Sequence, residues 1–265
     1  MCRWAAWSGT PIFLQDILSA PEHSLIVQSQ NASECKTAIN GDGFGVAWYA
    51  DLPEPGLFRD INPAWSDSNL PSIAAQIRSP LFLAHVRATT GSAISRNNCH
   101  PFVVGRWSFM HNGQVGGFDQ FRKAADMSIP EVFYNHRKGA TDSEALFLNA
   151  LGYNLDADPV EAMSRAVYEM ERLSRERGHT PHMRFSGAFS DGKRLFAMRY
   201  ASDANAPTLY YKCGSSPSGV MLVSEPLEAD TQGWHAVPQG SVCCVEDGEI
   251  SIVAMPEADT FRDAA

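Results

Sequence analysis

Hydrophobic positions follow different patterns along the chain, and each pattern predicts a different kind of element. Continuous apolar runs, typical of strands buried on both faces, occur at 2–8, 46–49, 81–87 and 107–110. Between residues 158 and 177 the apolar residues recur every three or four positions, which predicts a long amphipathic helix. From residue 183 onward, short apolar runs separated by turn signals such as Asp191-Gly192 and Asp247-Gly248 predict a series of strands.

Shorter helices are predicted between these strands. Residues 13–30 favour short helices divided at Pro21, and further helices are predicted at 70–77 and 118–125. Thr141 followed by Glu144 is typical of a capping box at the start of another helix. The Pro- and Asp-rich stretch 51–68 predicts a loop. The order of strands, then helices, then strands predicts an α+β fold with two sheets covered by helices.

Composition and charge narrow the possible partners and surroundings. The chain has 265 residues and a formal charge of −9, which argues against nucleic acid or an anionic membrane surface as the main partner. No apolar run reaches the roughly 20 residues that span a bilayer, and Gly9 and Pro11 interrupt the only stretch resembling a signal peptide. We therefore expect a cytoplasmic protein whose N-terminal segment is not cleaved as a signal peptide.

Cysteine and histidine spacing predicts neither a disulfide framework nor a metal site. The six cysteines have no CxxC pattern, and His100 has no second ligand at a suitable spacing. Cys243-Cys244 lies in an apolar run and is predicted to belong to the core. We expect no metal and no cofactor.

Cys2 is the first candidate for chemistry. If Met1 is removed, Cys2 carries a thiol and a free α-amine, which together form a nucleophile and a base within one residue. A neutral α-amine, with a pKa of roughly 7.7–8.0, can take the thiol proton directly or through one water. The Cys2 position is small enough for removal of Met1, so we expect that processing.

Three further candidates each have a structural alternative. Arg87 ends an apolar strand and is either salt-bridged or directed at an anionic group such as a carboxylate. Asn112-Gly113 ends another strand and offers two N–H donors for an oxyanion hole, although Asn-Gly also forms hairpin turns. Asp142 fits the first turn of a helix structurally, and it could equally hold an ammonium group.

The glycines of Gly41-Asp42-Gly43-Phe44-Gly45 precede a strand and no Walker lysine follows them. This arrangement disfavours a nucleotide site and favours a tight turn, which could line a pocket beside Cys2.

Several short motifs together resemble one known family, the class II glutamine amidotransferases, which are N-terminal-nucleophile hydrolases. The nearest branch is similar to the stand-alone amidohydrolases that include the γ-glutamyl hydrolase of ergothioneine biosynthesis. The motifs that carry the resemblance, in order along the chain, are Met1-Cys2-Arg3, Gly41–Gly45, His85–Gly91, Asn98–Phe102, His111-Asn112-Gly113 and Thr141–Glu144.

The resemblance implies a fold and a set of roles. The fold would be a four-layer αββα sandwich of two mainly antiparallel sheets, formed by a single domain over residues 1–265 with a short tail after about 255. Cys2 would be the nucleophile and its α-amine the general base, with Asn112 and Gly113 as the oxyanion hole. The implied substrate-binding residues are Arg87 for the α-carboxylate, Asp142 for the α-ammonium, and also His111 and Thr89.

The function predicted from these residues is cleavage of a γ-glutamyl amide bond through a thioester on Cys2. The substrate would be a small molecule, either glutamine or a γ-glutamyl conjugate. One alternative is a glutaminase subunit that supplies ammonia to a separate synthetase. Another is a non-catalytic module that binds glutamine. A homodimer or an unidentified synthetase partner is compatible with each of them.

Overall fold

The computed structural model describes residues 2–33, 39–89 and 91–264. The first half of the chain contains β1 (Arg3–Phe13), α1 (Gln15–Leu18), α2 (Leu25–Gln30), β2 (Phe44–Tyr49), β3 (Gly56–Asp60), α3 (Leu70–Gln76), β4 (Arg78–Val86), β5 (Phe102–Val104) and β6 (Trp107–Val115). The second half contains α4 (Phe118–Met127), α5 (Glu131–Tyr134), α6 (Asp142–Gly152), α7 (Pro159–Arg175), β7 (Met183–Ser190), β8 (Leu195–Ala201), β9 (Tyr210–Ser215), β10 (Ser218–Val223), β11 (His235–Ala236), β12 (Ser241–Glu246) and β13 (Glu249–Ala254).

The strands form two antiparallel sheets. The first sheet has seven strands in the order β11-β9-β10-β1-β4-β2-β3, and the second has six in the order β13-β12-β8-β7-β6-β5. Strand β1 lies near the middle of the first sheet, between β10 and β4. Strand β6 pairs with β7 near one edge of the second sheet. The N-terminal strand therefore lies between two neighbours instead of at an exposed edge.

The two sheets pack face to face, and helices cover both outer faces. Trp4 and Ala6 of β1 belong to the cluster between the sheets, where Met110 of β6 also lies. Ala5 and Trp7, on the opposite face of β1, pack with α1, α2 and α3. Helices α4, α6 and α7 cover the outer face of the second sheet. The predicted α+β, four-layer αββα fold is confirmed.

Several predicted boundaries are corrected by the structure. The stretch 51–68, predicted to be loop, contains the edge strand β3. Strand β6 continues through Val115, so Asn112-Gly113 lies inside a paired strand and forms no hairpin turn. The short strands β5 and β11 were not predicted, because runs of three and two residues carry too little periodicity to be recognised.

The start of α6 is capped on one side as predicted. The Thr141 hydroxyl accepts a hydrogen bond from the Glu144 N–H at 3.2 Å. The Glu144 carboxylate accepts from the Gly139 N–H at 2.7 Å and from Arg137 at 2.8 Å. Glu144 therefore anchors the segment before α6, which also presents Asp142.

The cysteine and membrane predictions can be compared with the described residues. Cys243 packs in the core between the sheets, as predicted, and Cys99 is also buried. Met1, whose removal we expect, and Cys35 lie outside the described residues. None of the described helices has the length and apolar character needed to span a bilayer.

Candidate active site

Strand pairing brings Cys2 and Arg87 to the same end of the first sheet. Arg3 pairs with Val86 across β1 and β4, so the next residues in that register are Cys2 and Arg87. The Cys2 sulfur accepts a hydrogen bond from the Ala88 N–H at 3.4 Å. On the other side, the Arg87 N–H donates to the Gly43 carbonyl at 2.8 Å. Cys2, Arg87 and Gly43 thus form a row across the sheet end.

Arg87 is a buried cation surrounded by neutral oxygen atoms. Its side chain is buried, with 3% of the residue exposed. The guanidinium donates to the Ser92 hydroxyl at 2.7 Å, the Thr89 hydroxyl at 3.3 Å, and the carbonyls of Asp42 and Ala93 at 3.3 and 3.4 Å. Across the described residues, no carboxylate lies within ion-pair distance of Arg87. The salt-bridge alternative therefore has no partner among them, whereas an anionic ligand would supply one.

Asp42 and Thr89 hold the segment that carries Arg87. The Asp42 carboxylate accepts from the Thr89 N–H at 2.7 Å, and the Asp42 N–H donates to the Arg87 carbonyl at 3.0 Å. The Thr89 hydroxyl donates to the Ser92 carbonyl at 2.7 Å. The glycine turn was predicted from the sequence but Asp42 was not, although an acidic side chain between two glycines was an available signal.

Asn112 faces the space between the sheets. It follows the buried Met110 by two positions along β6, so both side chains lie on the inner face. The Trp4 indole N–H donates at 3.2 Å to the carbonyl of Ser186, the cross-strand partner of Asn112. Cys2 directly precedes β1, two positions before Trp4, whose side chain lies on this inner face.

The Asn112 side chain is fully buried, yet neither its amide nitrogen nor its amide oxygen has a hydrogen-bond partner among the described residues. A buried amide without partners is costly, typically by about 1–3 kcal/mol. Such a group is available to donate to a ligand.

Gly113 is required by the close approach of its neighbours. Its φ is +155°, and a Cβ there would lie 1.9 Å from the Arg184 carbonyl oxygen and 2.5 Å from Nε2 of His111. No side chain fits that space without moving the backbone.

Asp142 lies at the N-terminus of α6, where its carboxylate accepts two backbone hydrogen bonds. These come from the Val115 and Ser143 N–H groups, each at 2.8 Å. The positive end of the helix dipole also favours the negative charge. No basic side chain of the described residues forms an ion pair with Asp142. Asp142 can thus serve the helix and still receive a cationic group.

The His111 side chain, predicted to bind substrate, is held by its neighbours in the structure. Its ring packs on Phe185, on the face of β6 that meets the helices, and so lies opposite Asn112. Nδ1 is 2.9 Å from the Ser143 hydroxyl and Nε2 is 3.3 Å from the Arg184 carbonyl. Burial lowers the pKa of His111, while the nearby Asp142 charge opposes that shift. His111 therefore supports Ser143 and Asp142 and has no ring nitrogen left for a substrate.

One open cleft lies beside Asp142 and beside the segment that contacts Arg87, although Arg87, Cys2 and Asn112 are not among its lining residues. It has a volume of about 470 Å³ and is lined by 91–93, 114–119 and 140–142 together with Arg122. Ser92 and Ala93, which accept hydrogen bonds from Arg87, lie on one wall, and Asp142 lies on another. Within the described residues, no cluster of His, Cys, Asp and Glu is arranged to hold a metal ion.

A family model and two curated relatives relate this chain to glutamine amidotransferases and γ-glutamyl hydrolases. Residues 22–217 match the family model described as glutamine amidotransferases class-II, a match that begins after Cys2. The chain is 32% identical to the probable glutamine amidotransferase DUG3 of Saccharomyces cerevisiae, over 93% of this chain and 82% of that protein. It is 28% identical to the gamma-glutamyl-hercynylcysteine sulfoxide hydrolase of Mycolicibacterium smegmatis, over 96% of this chain and 100% of that protein.

A solved structure agrees with these relatives. The glutamine aminotransferase class-II domain protein of Silicibacter pomeroyi is 47% identical and superposes with a TM-score of 0.80, covering 97% of this chain and 100% of that one.

Proposed function

Because the chain belongs to the class-II glutamine amidotransferase family, we propose that it is a cysteine-dependent amidohydrolase that cleaves the amide bond of a γ-glutamyl group. The observation that carries this proposal is a pair of opposite charges that lack ion-pair partners among the described residues. Asp142 lies on the cleft wall, and the buried Arg87 donates to Ser92 and Ala93 of the same cleft. Arg87 lacks a carboxylate partner among the described residues, and Asp142 has only backbone and hydroxyl donors. A glutamyl end, with its α-carboxylate and α-ammonium, complements both residues.

The chemistry that fits this arrangement is acyl transfer. With Met1 removed, the α-amine of Cys2 takes the thiol proton and the thiolate attacks the γ-carbonyl carbon of the substrate. The Asn112 amide and the Gly113 N–H would donate to the developing oxyanion. The tetrahedral intermediate collapses to a thioester, and the leaving amine takes the proton from the α-ammonium of Cys2. Water then hydrolyses the thioester, which releases glutamate and restores the thiol.

The leaving amine divides the proposal into two forms. The Mycolicibacterium relative is named for hydrolysis of a γ-glutamyl conjugate, which favours a substrate larger than glutamine. The yeast relative is named a probable glutamine amidotransferase, which favours ammonia release, with transfer to a separate synthetase as the alternative. Coverage of the whole Mycolicibacterium protein by this chain leads us to prefer the conjugate.

Two measurements test this proposal. Intact mass after incubation with 6-diazo-5-oxo-norleucine should show loss of Met1 and one adduct, which peptide mapping should place on Cys2. Turnover should be faster with a γ-glutamyl amide of a bulky amine than with glutamine. A Cys2→Ala variant should lose both labelling and turnover, whereas Cys213→Ala, which removes an exposed thiol, should retain both.

The outcomes separate the candidate functions. Faster release of ammonia from glutamine than from conjugates would favour the glutaminase form. A processed Cys2 that reacts with neither substrate nor analogue would contradict the amidohydrolase proposal and favour a binding module.

A further inference from the structure

A completely buried ion pair lies directly beside Cys2. Arg3 has 0% of its surface exposed, and its Nε lies 2.9 Å from Oε2 of Glu225. The same guanidinium donates through Nη1 to the Cys2 carbonyl oxygen at 3.1 Å. Arg3 thus joins the backbone of the proposed nucleophile to a carboxylate more than two hundred residues away in sequence.

The pairing of β1 with β10 places these two charges opposite each other. Ala5 pairs with Val223, so the next pairs in this register are Trp4 with Ser224 and Arg3 with Glu225. The Trp4 N–H donates to the Ser224 hydroxyl at 2.9 Å, and the Ser224 N–H donates to the Trp4 carbonyl at 3.0 Å. The register therefore continues past the end of β10.

Glu225 is fixed by further contacts. Its Oε1 accepts from the Ser33 N–H at 3.0 Å, and its carbonyl accepts from the Gln28 amide at 3.2 Å. Both carboxylate oxygens are thus engaged, one by Arg3 and one by a backbone donor. The geometry of the pair is set by three separate segments of the chain.

A buried ion pair is a weak source of stability, because the cost of removing both charges from water offsets much of their attraction. Two apolar side chains could fill the same space between β1 and β10. This pair differs from an ordinary buried ion pair in its position, because Arg3 contacts the backbone of Cys2. In a buried region, a charge a few ångströms away strongly changes the protonation of a neighbouring thiol or amine.

We propose that Arg3 and Glu225 form a positioning pair that holds the Cys2 backbone and sets, through the balance of its two charges, the pH range in which Cys2 reacts. This inference rests on the proposed function, in which Cys2 with a free α-amine is the nucleophile. Arg3 contacts the Cys2 carbonyl oxygen, so the pair acts through the backbone and the electrostatic surroundings of Cys2.

Other charged or titratable groups also face Cys2. Arg87 adjoins it at the end of β4, and Asp42 lies beyond Arg87 in the glycine turn. Burial raises the pKa of the Cys99 thiol and lowers the pKa of His85 to about 3, so both are neutral near pH 7. Asp142 lies on the cleft wall. These groups stay unchanged when the pair is altered, so a shift can be assigned to the pair.

The sign of the expected shift follows from the charge left behind. Glu225→Gln leaves the Arg3 cation without its counter-charge, which favours both the Cys2 thiolate and the neutral α-amine at lower pH. Arg3→Gln leaves the Glu225 anion, which shifts both groups to higher pH. The second shift should be smaller, because a buried carboxylate can take up a proton whereas a guanidinium cannot release one.

The experiment measures the rate of Cys2 alkylation by iodoacetamide as a function of pH, with the N-terminal peptide identified by mass. The midpoint for Glu225→Gln should fall by about one pH unit or more relative to the unmodified protein. The midpoint for Arg3→Gln should rise, by less than the midpoint for Glu225→Gln falls. Arg3→Lys, which keeps the charge, and the double variant Arg3→Gln/Glu225→Gln, which removes both charges, should stay near the original value.

Cys213 provides a control within the same molecule. It is an exposed thiol on β9, far along the chain from the pair, and its alkylation midpoint should be the same in every variant. Thermal unfolding of each variant confirms that the compared proteins are folded. If Glu225→Gln does not fold, Arg3→Gln should still raise the midpoint, whereas Arg3→Lys and the double variant should leave it unchanged.

Equal midpoints for Cys2 in all folded variants would overturn the inference. A purely structural pair would change the melting temperature, or the alkylation rate at every pH alike, without moving the midpoint. The proposed function fails separately. A protein whose Cys2 is alkylated but which cleaves no γ-glutamyl amide would contradict the proposed function. The alkylation midpoints would still report the electrostatic effect of the pair.

Discussion

Two buried arginines at neighbouring strand ends differ in how their charge is balanced. Arg3, with 0% exposure, pairs with the Glu225 carboxylate, whereas Arg87, with 3% exposure, contacts only neutral oxygens among the described residues. A buried charge is costly unless an opposite charge or strong hydrogen bonds compensate it. The comparison distinguishes a charge that the fold itself balances from one that awaits a ligand.

Two buried asparagines show the same contrast without charge. The Asn149 amide donates to the Ala145 carbonyl at 2.8 Å and the Ala125 carbonyl at 3.1 Å. The Asn112 amide has no such acceptor within the described part of the chain. Arg87 and Asn112 thus differ from their counterparts in related ways. Among the described residues, Arg87 has no opposite charge beside it, and Asn112 has no hydrogen-bond partner. Both were singled out from the sequence as candidate site residues.

The largest predicted effect is that of Arg87→Gln. Losing one partner of a buried charged pair costs about 2–5 kcal/mol, so kcat/KM for a γ-glutamyl amide should fall by about 10³-fold. The free energy of unfolding should stay unchanged or rise, because no carboxylate loses its partner. Kinetics with a substrate whose α-carboxylate is replaced by a carboxamide provide the check. The original protein should discriminate strongly against that substrate, and the variant should not.

Arg137→Gln is the matched control for a compensated arginine. Arg137 is bound by Glu144 at 2.8 Å and by Asp126 at 2.9 Å. Breaking such a buried pair should lower the free energy of unfolding by about 3–5 kcal/mol. If Arg87→Gln lost as much stability as Arg137→Gln, the distinction between the two kinds of buried arginine would be wrong.

Asn112→Ala should lower kcat by about 10²-fold, the usual loss on removing one oxyanion donor, with little change in melting temperature. Asn149→Ala is its counterpart, since it removes two hydrogen bonds in the core and should lower the melting temperature while leaving kcat unchanged. Steady-state kinetics and thermal unfolding of both variants measure this. A fall in kcat for both variants, or for neither, would show that an unpaired buried amide does not mark a catalytic donor.

The fold and the candidate site residues could be predicted from the sequence, whereas most contacts of those residues could not. The continuous apolar run of β1 and the periodicity of α7 predicted real elements, because burial along an element leaves a regular pattern. The extension of β6 through Asn112-Gly113 was missed, since Asn and Gly carry turn propensities that pairing with β7 overrides.

The partners of the site residues could not be predicted. Glu225 binds Arg3, and Asp42 holds Thr89, through register and turn geometry that no local pattern encodes. The His111 ring lies on the helical face of β6. The strand was predicted only over 107–110, so the side chains after it were not assigned to a face, although the side-chain period of a strand is two.

Three buried histidines should make the folded protein less stable as the pH falls. Burial lowers the pKa of His85 to about 3, and also lowers that of His100 and His111, from an ordinary value of 6.5. Because the unfolded chain binds protons that the folded chain excludes, stability is complete above about pH 6.5 and falls as pH decreases toward the folded pKa values. The loss should approach about 1.4 kcal/mol per pH unit for each histidine.

Urea unfolding between pH 7 and pH 5 measures this loss. The rings of His85 and His100 lie 4.3 Å apart, so protonating one also disfavours charge on the other. His100→Phe, which keeps a ring beside Phe102, should reduce the pH dependence. A free energy of unfolding that stays constant over this range would show that the buried rings are already charged in the fold.

The smallest effect should come from Arg172, which has more carboxylate partners than Arg3. It contacts Glu169 at 2.6 Å and also Glu176, but its side chain is 51% exposed. Water and salt screen exposed pairs, so Arg172→Ala should lower the free energy of unfolding by less than about 1 kcal/mol. Melting temperatures at low and high salt test this. Arg137 also has two carboxylate partners, so a loss for Arg172→Ala above that of Arg137→Gln would mean that burial does not decide how much an ion pair contributes. The contrast between buried and exposed charges would then fail.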